Sequence, residues 1–273
     1  MKSIPDQNSL RLFLERIRLF HEKSNAILLV KFLHLNQQIH CMKSLIDLYK
    51  TCRESDTSFI IVIFRLIICK VFYHKILLLH QRVRLRGIKN INAPERIAIG
   101  TEYVGFMHRT DKTYLNIKGT LSIKGKYNIG RGCRFDIGKD AMVTIGRGGY
   151  MNCNTTLIIM HSLTIGDDCA ISWNCQFLDE DFHEIDYPGK KMDDASIVIG
   201  NRVWVGCGVK IYKGTVIPDG CVIASDAVVR GVFTVENAII GGNPAKVIKE
   251  GITRSWFENP RETFVRNPYP RIG

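Results

Sequence analysis

The sequence is short of aromatic residues, which make up 9% of it. No stretch interleaves them with basic residues, so no nucleic-acid-binding module is visible. Its nine cysteines are odd in number, scattered, and include no C-x-x-C pair. That argues against a disulfide framework and for reduced thiols in a reducing compartment. Met1 to Asn8 is polar and lacks an apolar h-region, so no secretory signal is expected and the protein reads as cytoplasmic. No proline occurs between Pro5 and Pro94, so nothing there forbids helix. An unbroken apolar run of membrane length is also missing. The most apolar stretch, Phe59 to Leu79, contains Arg65, Lys70, His74 and Lys75. Central cations in a spanning helix cost about 2.5–3.5 kcal/mol each on insertion scales. Four uses of this stretch stay open: a true span, a helix packed in a helical cap, a trimer-contact helix, and a basic helix lying on a membrane surface.

What the chain does have is unevenly placed. Its formal charge is +12, of which residues 1–90 carry +10, from 16 Lys and Arg against 6 Asp and Glu. The first third is therefore expected to touch an anionic surface, either a membrane or an acidic polymer. It also reads as helical. Leu10, Phe13, Leu14, Ile17 and Phe20 form one amphipathic stripe, and Met42, Leu45, Ile46 and Tyr49 form another.

From Ile199 the pattern changes. Ile199, Val205, Ile211, Ile217, Ile223 and Val229 recur in steps of six. Val203, Val209, Thr215, Cys221 and Ala227 sit two residues before them, and Gly200, Gly206, Gly214 and Gly220 fall near the corners between steps. Neither a 3.6-residue helix nor a simple alternating strand has this period. Short strands of a solenoid do, each turning a corner and sending an aliphatic side chain inward. Ile117, Ile123, Ile129 and Phe135 keep the same step, as do Ile159, Ile165, Ile171 and Phe177. Cys133, Cys169, Cys175 and Cys221 fall at the inward position and read as small hydrophobes. The step is lost over 137–151, where a corner adjustment is expected, and over 100–114, which should leave the coil as a loop.

These periods predict a mainly β chain: a β-helix over 91–240, after a basic helical region over 1–90 and before a C-terminal extension over 241–273. Residues 178–195 (LDEDFHEIDYPGKKMDDA) interrupt the repeat, which then resumes in register. That marks a loop projecting from one corner, and such insertions gather on the binding face. The loop carries His183 among Asp179, Glu180, Asp181, Glu184 and Asp186. A neutral imidazole is the natural base for an alcohol proton, and a carboxylate on its other nitrogen, from Asp181 or Glu184, would fix the tautomer. His161 reads as structural, with nothing acidic around it.

Three further motifs carry a resemblance: Ile199-Gly200-Asn201-Arg202-Val203-Trp204-Val205-Gly206, then Val222-Ile223-Ala224-Ser225, then Gly242-Asn243-Pro244-Ala245-Lys246. Together with the loop they resemble the hexapeptide-repeat acyltransferases, in particular the sugar and antibiotic O-acetyltransferases of the galactoside, maltose and streptogramin type and the capsule or lipopolysaccharide modifiers. The likeness covers roughly residues 115–255. It implies a left-handed β-helix, a homotrimer with sites at subunit clefts, acetyl-CoA as co-substrate, a saccharide acceptor and no metal. It makes His183 the catalytic base with Asp181 or Glu184 beside it. It places Asn152 and Trp204 against the acceptor. It puts Gly206, Cys207, Ala224, Ser225, Lys246 and Lys249 along CoA, with backbone groups near Cys207 and Ser225 and the lysines near phosphate.

The resulting expectation is an acetyl-CoA-dependent O-acetyltransferase acting on a capsular or other cell-surface polysaccharide. The alternatives are an N-acetyltransferase on a nucleotide-linked amino sugar, a zinc β-helix of carbonic-anhydrase type, and a non-catalytic scaffold. The zinc reading needs three histidine ligands, and His108, His161 and His183 do not have that family's spacing.

Overall fold

The computed structural model describes residues 44–102, 105, 107–108, 110–183 and 195–253. The chain divides into two compact units, Met1–Lys50 and Thr51–Gly273. In the first, residues 44–50 are helical; the stripe from Leu10 to Phe20, and Met42, lie outside the described residues. The second begins with the end of that helix (α1, 44–54), followed by a helix over Phe59–Tyr73 (α2).

Beyond α2 the described chain is short strands joined by turns, wound into three parallel sheets. Sheet 1 has nine strands, sheet 2 seven and sheet 3 six. Successive strands visit the sheets in turn, and each pairs with the strand one coil away. Thus Ala170–Ile171 pairs with Trp204–Val205 in sheet 1, Gln176–Leu178 with Lys210–Tyr212 in sheet 2, and Ser162–Ile165 with Ile197–Ile199 in sheet 3. The six-residue step is the cause. Val203, Val205, Val209, Ile211, Thr215, Ile217, Cys221, Ile223, Ala227 and Val229 are all buried inside the coil. Cys133, Cys169, Cys175 and Cys221 are buried among them as expected. Burial pushes Cys133 and Cys175 up to about 12, so these thiols are inert packing groups.

Corners are held by polar side chains. Side-chain oxygens of Asp167, Asn201 and Asp219 each accept the backbone N–H of the same corner one coil earlier, from Arg147, Asp167 and Asn201 at 2.9, 2.9 and 2.8 Å. Gly200 has to be glycine there, because a Cβ would lie 2.4 Å from Asp219 Oδ1 and 2.7 Å from its backbone N. The corner over 138–141, where the Ala141 N–H donates to Gly138 O at 3.1 Å, takes up the phase break expected over 137–151. Between the strands Ile97–Ile99 and Thr113–Ile117 the described residues form no strand, in line with the loop expected over 100–114, although Thr113 and Tyr114 belong to the coil.

Two boundaries differ from the sequence reading. The coil starts at Leu77, not Ile91, because Leu77–Leu79 pairs in parallel with Ile97–Ile99 in sheet 1. This strand packs against α2, and all three leucines are buried, which erases the alternation that would betray a strand. At the other end the coil does not stop at residue 240. Ile239–Gly242 turns back on Ala245–Lys249 as an antiparallel pair, and sheet 1 ends on that added strand.

The N-terminal mouth of the coil is plugged. On α2, Val62 and Cys69 face inward, and Arg65 donates to His80 O at 2.7 Å and Val83 O at 2.8 Å, carbonyls of the first coil. Arg131 is 1% exposed. Its guanidinium donates to Gly100 O at 2.8 Å, to Thr57 Oγ1 at 3.0 Å and to Ser55 O, tying the α1–α2 connection to the coil. Next to it His80 is fully buried, and its Nδ1 accepts the Arg82 N–H at 3.2 Å.

Burial, then the charge of Arg131, pushes His80 down to about 4. An imidazole that resists protonation in the fold releases a proton on folding below its ordinary value. Stability supported by His80 is therefore complete above about 6.5 and falls as the pH drops toward 4, by up to about 3 kcal/mol. Urea unfolding midpoints of wild type and His80→Gln should diverge across that window, with the wild type the more acid-sensitive.

Candidate active site

The loop interrupting the coil leaves after the strand Gln176–Leu178, at the corner between sheets 2 and 3. Three consecutive carboxylates fix its root. Asp179 is wholly buried and accepts the N–H groups of Met160 and His161 at 2.6 and 2.8 Å. Desolvation raises the Asp179 carboxyl, and these N–H bonds oppose the shift. Glu180 Oε2 lies 2.9 Å from His161 Nε2, and that bond holds the Glu180 carboxyl below its ordinary value. Asp181 Oδ2 lies 2.6 Å from Lys213 Nζ. The root is thus tied to one coil by His161 and to another by Lys213. His183 follows two residues later and is exposed.

This corrects the sequence reading of His161 as remote from acid. Glu180 reaches back across the coil to it, a contact between residues one coil apart that no local spacing reveals. The Asp181 carboxylate meets Lys213, and Glu184 lies outside the described residues. Residues 195–199 resume the coil, and Ile197–Ile199 pairs on both sides.

The other predicted residues gather on sheet 1 and on its corner with sheet 2. The register aligns Tyr150, Ala170, Trp204, Val222 and Ile239 on neighbouring strands. Their chain neighbours Met151, Ile171, Val205, Ile223 and Ile240 are buried in the coil, so the aligned row faces outward. Trp204 is half-buried and donates from Nε1 to Ser172 Oγ at 3.1 Å. Ser172 was not foreseen; it is the residue that sets the indole's orientation. Beyond Trp204, Gly206 is buried and has no room for a side chain, since a Cβ there would sit 2.7 Å from both Ile223 O and Ser225 N. Cys207 is half-buried, with Sγ 3.3 Å from the exposed Ser225 Oγ, and Ala224 lies beside them. Lys246 and Lys249 are exposed on the last strand of the same sheet. Asn152 is 6% exposed, and its Oδ1 accepts the Cys153 N–H at 2.9 Å. The left-handed corner residue is Asn154, with φ 59°, and Asn152 supports the same turn through its bond to the Cys153 N–H.

One wall therefore joins Trp204, Cys207, Ala224, Ser225 and the two lysines. Small side chains and backbone edges lie in its middle and cations at its end, a fit for a long anionic thioester. His183 is on a loop from the other end of sheet 2. Among the described residues no group of three His, Cys, Asp or Glu side chains is placed to hold a metal ion.

A parallel coil built on a six-residue repeat is the architecture of the hexapeptide-repeat proteins. No protein-family model matches the chain. It is 37% identical over 207 residues to a 24.8 kDa protein from the cps region of Klebsiella pneumoniae, covering 75% of this chain and 92% of that one. It is 27% identical over 148 residues to WbbJ of Escherichia coli, assigned to O-acetyl transfer in lipopolysaccharide biosynthesis, covering 50% and 75%. It is 34% identical over 111 residues to the Escherichia coli galactoside O-acetyltransferase, covering 40% and 54%. The chain belongs to the hexapeptide-repeat acyltransferases.

Proposed function

We propose that the protein transfers acetyl from acetyl-CoA to a hydroxyl of a saccharide, a capsular or other cell-surface polysaccharide or its precursor. The observation that carries this reading is the single wall joining Trp204, Cys207, Ser225, Lys246 and Lys249 on neighbouring strands of sheet 1. The relatives named for lipopolysaccharide and galactoside acetylation, and the one from a cps region, support the saccharide.

The pantetheine arm lies along Gly206, Ala224 and Ser225, and the phosphates meet Lys246 and Lys249. Trp204 and Asn152 receive the sugar. His183 takes the hydroxyl proton as the oxygen attacks the thioester carbonyl carbon. A backbone N–H near Cys207 holds the oxyanion, a contact worth about 2.7–4 kcal/mol of barrier. The carbon–sulfur bond then breaks, and the imidazolium returns the proton to the leaving thiolate. Asp181, which also meets Lys213, or Glu184 would fix the tautomer of His183. The enzyme works as a homotrimer, with the His183 loop of one chain reaching the wall of the next. It works in the cytoplasm, where its basic first third keeps it at the inner membrane face.

The test is thiol release from acetyl-CoA by the purified full chain with a panel of saccharides, followed by product analysis. An ester removed by hydroxylamine or mild base is expected. An amide that resists both would move the enzyme to amino-sugar N-acetylation.

A further inference from the structure

α2 has two faces of opposite use. Its inner face is spent on the coil, through Val62, Cys69 and the two Arg65 hydrogen bonds. Its outer face is exposed among the described residues. Ile60, Phe64, Ile67 and Val71 follow one another at helical spacing, with Ile61 and Phe72 beside them, and they are 80, 63, 55, 60, 40 and 72% exposed respectively. Isolated exposed aliphatics need no explanation, but a contiguous stripe of this kind marks a contact surface.

Charge selects the occupant. Between Asp56 and Glu95 the sequence contains no carboxylate. Lys70 on α2, Lys75 just after it, and Arg82, Arg84, Arg86 and Lys89 in the first coil are all at least partly exposed. A second copy brought against this end would set like charges against one another. An anionic phospholipid surface suits both features. The apolar side chains enter the boundary between headgroups and acyl chains, and the cations meet lipid phosphates. α2 has 15 residues, about 22 Å of helix, whereas a bilayer core is about 30 Å thick. No helix among the described residues is long and apolar enough to cross a membrane. A helix held down along one side can only lie flat.

We propose that the outer face of α2 docks the enzyme on an anionic phospholipid bilayer, with Ile60, Phe64, Ile67, Val71 and Phe72 inserted and the first-coil cations at the headgroups. This deepens the peripheral-contact reading above, and its test is independent of the transfer chemistry.

The experiment is co-sedimentation of the full chain with vesicles of phosphatidylcholine alone or mixed with phosphatidylglycerol. Binding is expected only with phosphatidylglycerol, weakening as salt is raised. Phe64→Asp/Val71→Asp should cut the bound fraction about tenfold or more, leaving helical circular dichroism and thiol release with a soluble acceptor unchanged. Ile60→Gln/Phe72→Gln reads the same surface should the aspartates lower solubility. Wild-type protein that ignores every vesicle overturns the proposal, as do both paired variants binding like wild type. A wild type that light scattering finds in a larger assembly than the variants shows a second copy covering the face, and also overturns it.

Discussion

Replacing His183 with alanine is expected to lower acetyl transfer about 100- to 10,000-fold, the range for loss of a positioned general base. The KM for acetyl-CoA should change little, because no contact with the nucleotide or pantetheine is removed. The physical basis is the loop root. Asp179, Glu180 and Asp181 are spent on Met160 and His161 backbone N–H groups, on the His161 ring and on Lys213. Three fixed residues just before His183 limit where its imidazole can travel, and pre-organisation of that kind is what a base contributes beyond its proton affinity. The measurement is initial-rate thiol release over a range of acetyl-CoA concentrations. Turnover within tenfold of wild type would remove His183 from the chemistry.

A large effect on stability is expected at Arg131. Arg131→Met removes the guanidinium from Gly100 O, Ser55 O and Thr57 Oγ1. Ser55 O and Thr57 Oγ1 keep bonds within their own turn, while Gly100 O loses this donor, and a buried acceptor left unsatisfied costs about 1–3 kcal/mol. The damage should be local first. Each coil touches mainly its neighbours, so a solenoid can lose one end before the rest. Hydrogen exchange should show α2 and the first coil opening while the strands from Ala170 onward keep their protection. A shift of the unfolding midpoint worth less than about 1 kcal/mol would show that the guanidinium is dispensable to the cap.

Much of the coil was legible because its cause is local. An inward side chain every six residues is a property of the chain itself, and Val203 through Val229 report it directly. Leu77–Leu79 was not legible, since α2 covers what would be the polar face of that strand and the alternation vanishes. Nothing in the sequence around Arg131, between Gly130 and Gly132, marks it; only the fold brings the α1–α2 connection against it. The site divides in the same way. Trp204, Cys207 and Ser225 lie in motifs one coil apart, so knowledge of the coil places them on one wall. Ser172, His161 and Lys213 act on residues in other coils, and nothing in their own surroundings announces it.

The most direct test of a site shared between chains is complementation. His183→Ala, and Cys207→Trp to fill the thioester groove, would each be inactive as homotrimers. Co-expressed with two tags and purified through both, every mixed trimer holds two chains of one kind and one of the other. A loop from one chain serving the wall of the next leaves one intact site in each, so activity should return to about a third of wild type. If His183 instead serves the wall of its own chain, no mixed trimer contains an intact site, and a preparation as inactive as its parents would contradict the account.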